Sequence, residues 1–113
     1  MRAVLQRVSK ASVSVNNKIV SSIDQLGWLV LLGVHIEDSF KDVDILVRKV
    51  LNIRAFNDHA NKMNLSVQNI KGAILVVSQF TLLADLNKGR RPSFAQSAEP
   101  ETALALYNFF IEQ

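Results

Sequence analysis

Seven consecutive positions, Trp28-Leu29-Val30-Leu31-Leu32-Gly33-Val34, carry no polar side chain, and only Gly33 interrupts their bulk. A nearly continuous apolar run of strand length is expected of a strand covered on both faces, so the rest of the chain has to supply that cover. The run is also the longest apolar stretch present and falls far short of the roughly 20 residues that a membrane-spanning helix needs. No membrane association is expected.

The segments around it fall into two periods. Residues 3–15 alternate as strands do, with Ala3, Leu5, Ala11, Val13 and Val15 on one face and Gln6, Lys10, Ser12 and Ser14 mainly on the other. Arg7 lies on the apolar face, where a guanidinium needs a partner, because an unpaired buried charge is costly. Val4 and Val8 fall on the polar face, which points to a bulge or to burial on two sides near Val8. Asn16-Asn17 suits a hairpin turn, since asparagine tolerates positive φ, and residues 18–23 form the returning strand. Gly27 closes the next turn. From Ser39 the period becomes helical, with Val43, Leu46, Val47, Val50 and Leu51 on one stripe and Ser39 or Asp38 at the N-cap. The acids gathered between Glu37 and Asp44 therefore serve helix initiation, where the dipole favours them. A short strand at 53–56, a polar loop at 57–61 and a strand at 73–79 after Gly72 follow. Pro100 then opens a second helix with Ala103, Leu106, Tyr107, Phe110 and Ile111 on its stripe.

The order of strands, helix, strands and helix predicts an α/β fold: a mixed, largely antiparallel, barrel-like sheet with two helices packed on one side. At 113 residues, 49% of them hydrophobic and 20% charged, the chain has the composition of one globular domain, residues 1–113, neither disordered nor fibrous. It has no cysteine, hence neither a disulfide framework nor a thiolate metal site, and no secretory pattern opens it. A cytoplasmic protein is the expectation. The last helix stops at Gln113 without a terminal cap or polar tail, so the chain reads as cut short.

Thirteen basic against ten acidic side chains leave a net charge of +3, too small an excess to argue for nucleic acid alone. Its distribution says more. The apolar run Leu75-Val76-Val77 leads into Ser78-Gln79-Phe80-Thr81, and the densest cationic cluster, Lys88-Gly89-Arg90-Arg91, follows shortly after. By themselves, Ser78 to Thr81 fit either a plain strand end or a turn whose successive backbone N–H groups face a developing oxyanion, with Thr81 or Gln79 positioning the reacting group. Likewise Lys88, Arg90 and Arg91 fit either a solvated loop or a set of phosphate contacts, with Gly89 admitting close backbone approach and Phe80 or Phe94 offering a surface for a base. Lys62-Met63-Asn64 becomes a pocket wall only if the fold carries it beside Thr81. His35 and His59 lack a carboxylate at a spacing that would build a triad or a metal site, so neither a metal nor a cofactor is expected.

Together these segments resemble the D-aminoacyl-tRNA deacylase (D-tyrosyl-tRNA deacylase) family. The likeness is carried by residues 1–8 (MRAVLQRV), by Leu31-Leu32-Gly33-Val34, by Lys62-Met63-Asn64-Leu65-Ser66, by Gly89-Arg90-Arg91-Pro92-Ser93-Phe94 and above all by Ser78-Gln79-Phe80-Thr81-Leu82, the family's active-site signature. Leu83 stands where the family commonly has tyrosine. The resemblance implies that a cytoplasmic homodimer hydrolyses the ester between a D-amino acid, or glycine, and the terminal adenosine of tRNA. It implies catalytic roles for Ser78, Gln79, Phe80 and Thr81, with N–H groups near Phe80 and Thr81 on the carbonyl oxygen. Thr81 is then a nucleophile or, in the reading favoured here, a positioning group, while the substrate's ribose 2′-hydroxyl assists water. Arg7, Lys62, Met63, Asn64, Lys88, Arg90 and Arg91 become substrate-binding residues, Arg7 supporting the pocket near the dimer interface. The family's second signature, an Asn-x-Gly-Pro-x-Thr gate against L-amino acids, is not in these 113 residues, whose prolines are Pro92 and Pro100. The alternative expectation is a non-catalytic tRNA-binding or dimerisation module on the same scaffold.

Overall fold

In a computed structural model, residues 1–87 and 89–113 are described. They form seven strands, two α-helices and one 3₁₀ helix, in the order β1 (Arg2–Val8), β2 (Ala11–Val15), β3 (Lys18–Ile23), β4 (Gly27–Gly33), α1 (Phe40–Asn52), β5 (Phe56–Asn57), β6 (Met63–Leu65), β7 (Ala73–Ser78), the 3₁₀ helix Phe80–Leu83, and α2 (Pro100–Glu112). The class is the mixed α/β one that the two hydrophobic periods predict. Strands β1, β4 and β7 make a three-stranded sheet with β4 in the middle, while β2 pairs with β3 and β5 with β6, both antiparallel.

The central strand is the apolar run, and it begins at Gly27, so this glycine opens the strand and does not close the preceding turn as expected. Val30 and Leu32 are fully buried and Trp28 nearly so. The alternating residues 3–15 divide at Ser9–Lys10, β1 going to the three-stranded sheet and β2 to the hairpin. Alternation reports which face a side chain takes and is blind to which sheet a strand joins. Strand β2 shifts register against β3 between Val13 and Ser14. Asn16 and Asn17 turn the hairpin with φ of 52° and 64°, the left-handed values asparagine tolerates.

By their contacts the residues gather into two compact units. The first comprises 1–4, 31–47 and 77–113, with Leu32, Val34, Val43, Val47, Leu83, Leu106 and Phe110 as its core. Helix α2 presents Leu106 and Phe110 inward as its stripe predicts, although Ile111 at the stripe's end is exposed. Phe109 packs edge-on against Phe40 with ring centroids 4.7 Å apart. Ser39 precedes α1 and donates its N–H and hydroxyl to the Asp42 carboxylate at 2.8 and 3.2 Å, half of a capping box. These bonds, the Ser39 N–H foremost, hold the Asp42 carboxyl below its ordinary value. Asp38 is no cap: it accepts the His35 N–H at 2.6 Å and pairs with the Met1 ammonium at 2.8 Å.

The second unit comprises 5–30 and 48–76. Its core holds Trp28, Val30, Val50, Phe56, Val67 and Leu75, with Trp28 and Phe56 rings tilted against each other at 4.6 Å. Gly27 has no room for a side chain, because a Cβ there would lie 1.8 Å from the Ala73 carbonyl oxygen. The strand expected at 53–56 is reduced to Phe56–Asn57, since helix α1 runs on to Asn52 and a link occupies 53–55. Among the described residues no helix is long and apolar enough to cross a membrane.

Candidate functional site

Strand β7 ends at Ser78, and the chain tightens at once into the 3₁₀ helix of Phe80–Leu83, so the signature straddles a change of backbone geometry. The Gln79 N–H donates to the Leu32 carbonyl at 2.7 Å, which ties the start of the turn to the buried strand β4. Gly33 permits that approach: a Cβ there would lie 3.1 Å from the Gln79 carbonyl oxygen and 3.1 Å from the Leu82 Cβ. From the other side, Arg2 Nη1 donates to the Leu82 carbonyl at 2.9 Å. Phe80 and Thr81 open the 3₁₀ helix, so their N–H groups have no intrahelical partner, and no acceptor among the described residues meets them. Gln79 Nε2 donates to Thr81 Oγ1.

The cationic loop is closed at its base by a reciprocal pair of backbone bonds, Asp85 N–H to the Ser93 carbonyl at 2.6 Å and Ser93 N–H to the Asp85 carbonyl at 2.8 Å. Gly89 has φ of +73°, a left-handed value that favours glycine, with open space around it. Arg90 and Arg91 are exposed, and Lys88 lies outside the described residues. Directly after the closing pair, the Phe94 ring meets Phe80 edge-on at 5.0 Å, joining loop and signature. The same two rings wall a cavity of about 770 Å³, together with Ser78, Ser97, Leu104 and Tyr107. A volume of several hundred Å³ with mostly apolar walls and a few polar groups is what a small organic ligand requires.

The first unit thus gathers Ser78, Gln79, Phe80 and Thr81 with Arg90 and Arg91. The remaining candidates belong to the second unit. Arg7 is exposed, which differs from its expected place on a buried face, so its charge needs no protein partner, although Nη1 donates to the Ala55 carbonyl and to Asn57 Oδ1, both at 3.1 Å. Asn64 is gripped by Arg54, whose Nε donates to its carbonyl at 3.0 Å and whose Nη2 donates to its Oδ1. Met63 is exposed and Lys62 precedes it at the strand edge, its N–H donating to Asp58 Oδ1 at 3.1 Å. That bond leads the set that lowers the Asp58 carboxyl below its ordinary value, with Ala60 N–H and the Asn64 side chain adding to it. Arg54, Ser97 and the bond from Arg2 carry no functional signal in the sequence, and Leu104 stands out there only as an apolar residue off the stripe of α2.

An α/β chain with an open pair of backbone N–H groups beside an apolar cavity and a cationic loop has the parts of an acyl-transfer site for a polyanionic substrate. A sequence model described as D-Tyr-tRNA(Tyr) deacylase matches residues 4–113, and the chain belongs to that family. It is 55% identical over its whole length to the D-aminoacyl-tRNA deacylase of Thermosipho melanesiensis, of which it covers 75%, and equally to that of Syntrophus aciditrophicus. Among solved structures it is similar to the c-Myc DNA Unwinding Element Binding Protein, with a TM-score of 0.92, 44% identity and coverage of 100% of this chain and 75% of the other. A probable eukaryotic D-amino acid tRNA deacylase shares the fold with a TM-score of 0.82 at 22% identity, over 97% of this chain and 64% of the other.

Proposed function

We propose that this chain hydrolyses the ester joining a D-amino acid, or glycine, to the 3′-terminal adenosine of tRNA. The observation that carries the reading is the open pair of N–H groups at Phe80 and Thr81 beside the cavity, in a chain of the deacylase family. Water adds to the ester carbonyl, and the two N–H groups hold the oxyanion that forms. The intermediate then collapses, the bond to the ribose 3′ oxygen breaks, and free amino acid and tRNA leave. Donors set in advance where charge develops act without reorganisation, and removing one typically slows a reaction about 10²–10³-fold. The rings of Phe80, Phe94 and Tyr107 offer the terminal adenosine apolar walls, and Arg90 and Arg91 take the phosphates behind it.

Thr81 positions and does not attack. A nucleophilic hydroxyl needs a base to take its proton, whereas the partner of Thr81 Oγ1 is the Gln79 amide, which donates to it. As the resemblance to the deacylase family implies, the ribose 2′-hydroxyl of the substrate assists water in this reading. Lys62, Met63, Asn64 and Arg7 are further substrate-binding residues in this reading. The protein acts as a homodimer, and its setting is the cytosol, where aminoacyl-tRNA is used.

Incubation with D-tyrosyl-tRNA tests the reaction: release of tyrosine above the buffer rate is expected, and its absence overturns the proposal. Binding of uncharged tRNA with a steep salt dependence and no turnover points instead to the non-catalytic module. Thr81→Ala is expected to slow hydrolysis less than Phe80→Pro or Thr81→Pro, each of which deletes an N–H. Equal losses in all three assign the attack to the Thr81 hydroxyl. Sedimentation equilibrium is expected to give twice the monomer mass, and a monomer at every concentration refutes the dimer.

A further inference from the structure

We propose that Ser97 is a positioning residue for this hydrolysis, acting through the Phe80–Thr81 peptide; the inference deepens the functional reading above and rests on it. The Ser97 hydroxyl lies 3.1 Å from the Phe80 carbonyl oxygen, and since a carbonyl can only accept, the hydroxyl donates. That carbonyl and the Thr81 N–H are the two ends of one planar peptide group. A donor at the oxygen end fixes the plane in which the N–H points. It also draws electron density toward the oxygen, which makes the N–H a stronger donor, as in any chain of polarised hydrogen bonds.

Ser97 can do this because its own backbone is held independently of its hydroxyl. Its N–H donates to the Phe94 carbonyl at 2.9 Å, and it forms an antiparallel bridge with His35. On either side of it, Ile36 N–H donates to the Gln96 carbonyl at 2.8 Å and Ala98 N–H to the Val34 carbonyl at 2.9 Å. Residues 34–36 directly follow the buried strand β4, whose Leu32 accepts the Gln79 N–H. Signature and serine are thereby fastened to one continuous stretch of chain, residues 32–36, and the hydroxyl spans the gap between them. None of the backbone bonds is lost when the hydroxyl is removed, so Ser97→Ala isolates the one interaction. Nothing in the sequence around Ser97 signals it, because its partner is 17 residues away and joined only through the fold.

Two measurements on the full chain test the proposal. In isotope-labelled protein, Ser97→Ala is expected to shift the Phe80 carbonyl carbon and the Thr81 amide resonances while the rest of the spectrum stays in place, and Ser97→Thr to restore them. Unchanged resonances at both positions overturn the proposal whatever the activity. In single-turnover hydrolysis of D-tyrosyl-tRNA, Ser97→Ala is expected to lower the rate at saturating enzyme about 3- to 10-fold, the worth of one neutral hydrogen bond, with the half-saturating concentration unchanged and the rate recovered in Ser97→Thr. A raised half-saturating concentration with an unchanged rate makes Ser97 a substrate contact and overturns the positioning role. Absence of hydrolysis by the unsubstituted protein overturns the functional reading and the catalytic role of Ser97 together, whereas a silent Ser97→Ala in an active protein overturns the role of Ser97 alone.

Discussion

Two glycines of the central strand separate stability from activity at the level of single residues. Gly27→Ala puts a methyl group 1.8 Å from the Ala73 carbonyl oxygen, and backbone cannot step aside as a side chain can. The expected cost reaches or passes the upper end of the about 1–3 kcal/mol of ordinary overpacking, read as a collapse of the thermal midpoint or of recoverable protein. Gly33→Ala meets the Gln79 carbonyl oxygen and the Leu82 Cβ at 3.1 Å, a contact relieved by a few tenths of an ångström of movement. That movement displaces the signature itself, so hydrolysis is expected to fall by at least about tenfold, while the melting temperature changes little beside that of Gly27→Ala. Retained activity in Gly33→Ala would refute the link between strand β4 and the site. Single residues were legible in the sequence where a turn demands a particular backbone: Asn16 and Asn17 take the positive φ expected of them. Arg7 was legible only in part, because alternation points it to a buried face and it is exposed, bonded to Ala55 and Asn57 all the same. The partners of Ser97 and Arg54 are set by the fold, so no local pattern could name them.

Among the elements, those with a long period or a special turn were legible. The apolar run, the Asn16-Asn17 hairpin and both α-helices follow from rules a few residues wide. The division of residues 3–15 at Ser9–Lys10 and the shrinking of the strand at 53–56 do not, because sheet partners are chosen at long range. The turn at 57–62 carries a prediction of its own. Its Asp58 carboxylate gathers the N–H groups of Lys62 and Ala60, and the bonds, that from Lys62 foremost, hold its carboxyl below the ordinary aspartate value. A carboxyl with a lowered folded value binds its proton less readily when folded than when unfolded. Its contribution is therefore complete above the unfolded value and drains away as pH falls through the folded one. Asp58→Asn is expected to melt below the unsubstituted protein at about pH 6, with the gap narrowing on acidification toward about pH 2. A gap independent of pH would mean that the charge of Asp58 contributes nothing. Asp42, held low by Ser39 at the start of α1, is expected to behave in the same direction.

For the molecule as a whole, the proposed function divides the work between charge and apolar surface, because its substrate is mostly polyanion and only at its tip a small ester. The net charge of +3 is modest, yet the loop closed by Asp85 and Ser93 holds Arg90 and Arg91 at the surface, and the Phe80–Phe94 contact ties it to the signature. Phosphate contacts release condensed counterions, so each one lost should flatten the log–log dependence of tRNA binding on salt by about 0.7 for a single strand. Joint replacement of Arg90 and Arg91 by alanine is accordingly expected to raise KM for D-tyrosyl-tRNA steeply at low salt and to bring it near the unsubstituted value at high salt. The same substitution should leave hydrolysis of D-tyrosyl-adenosine untouched, since that substrate has the ester and the base but no phosphate for the loop to meet. A parallel loss on both substrates would show that the arginines shape the cavity and not the path of the strand, and would remove the loop from the binding surface.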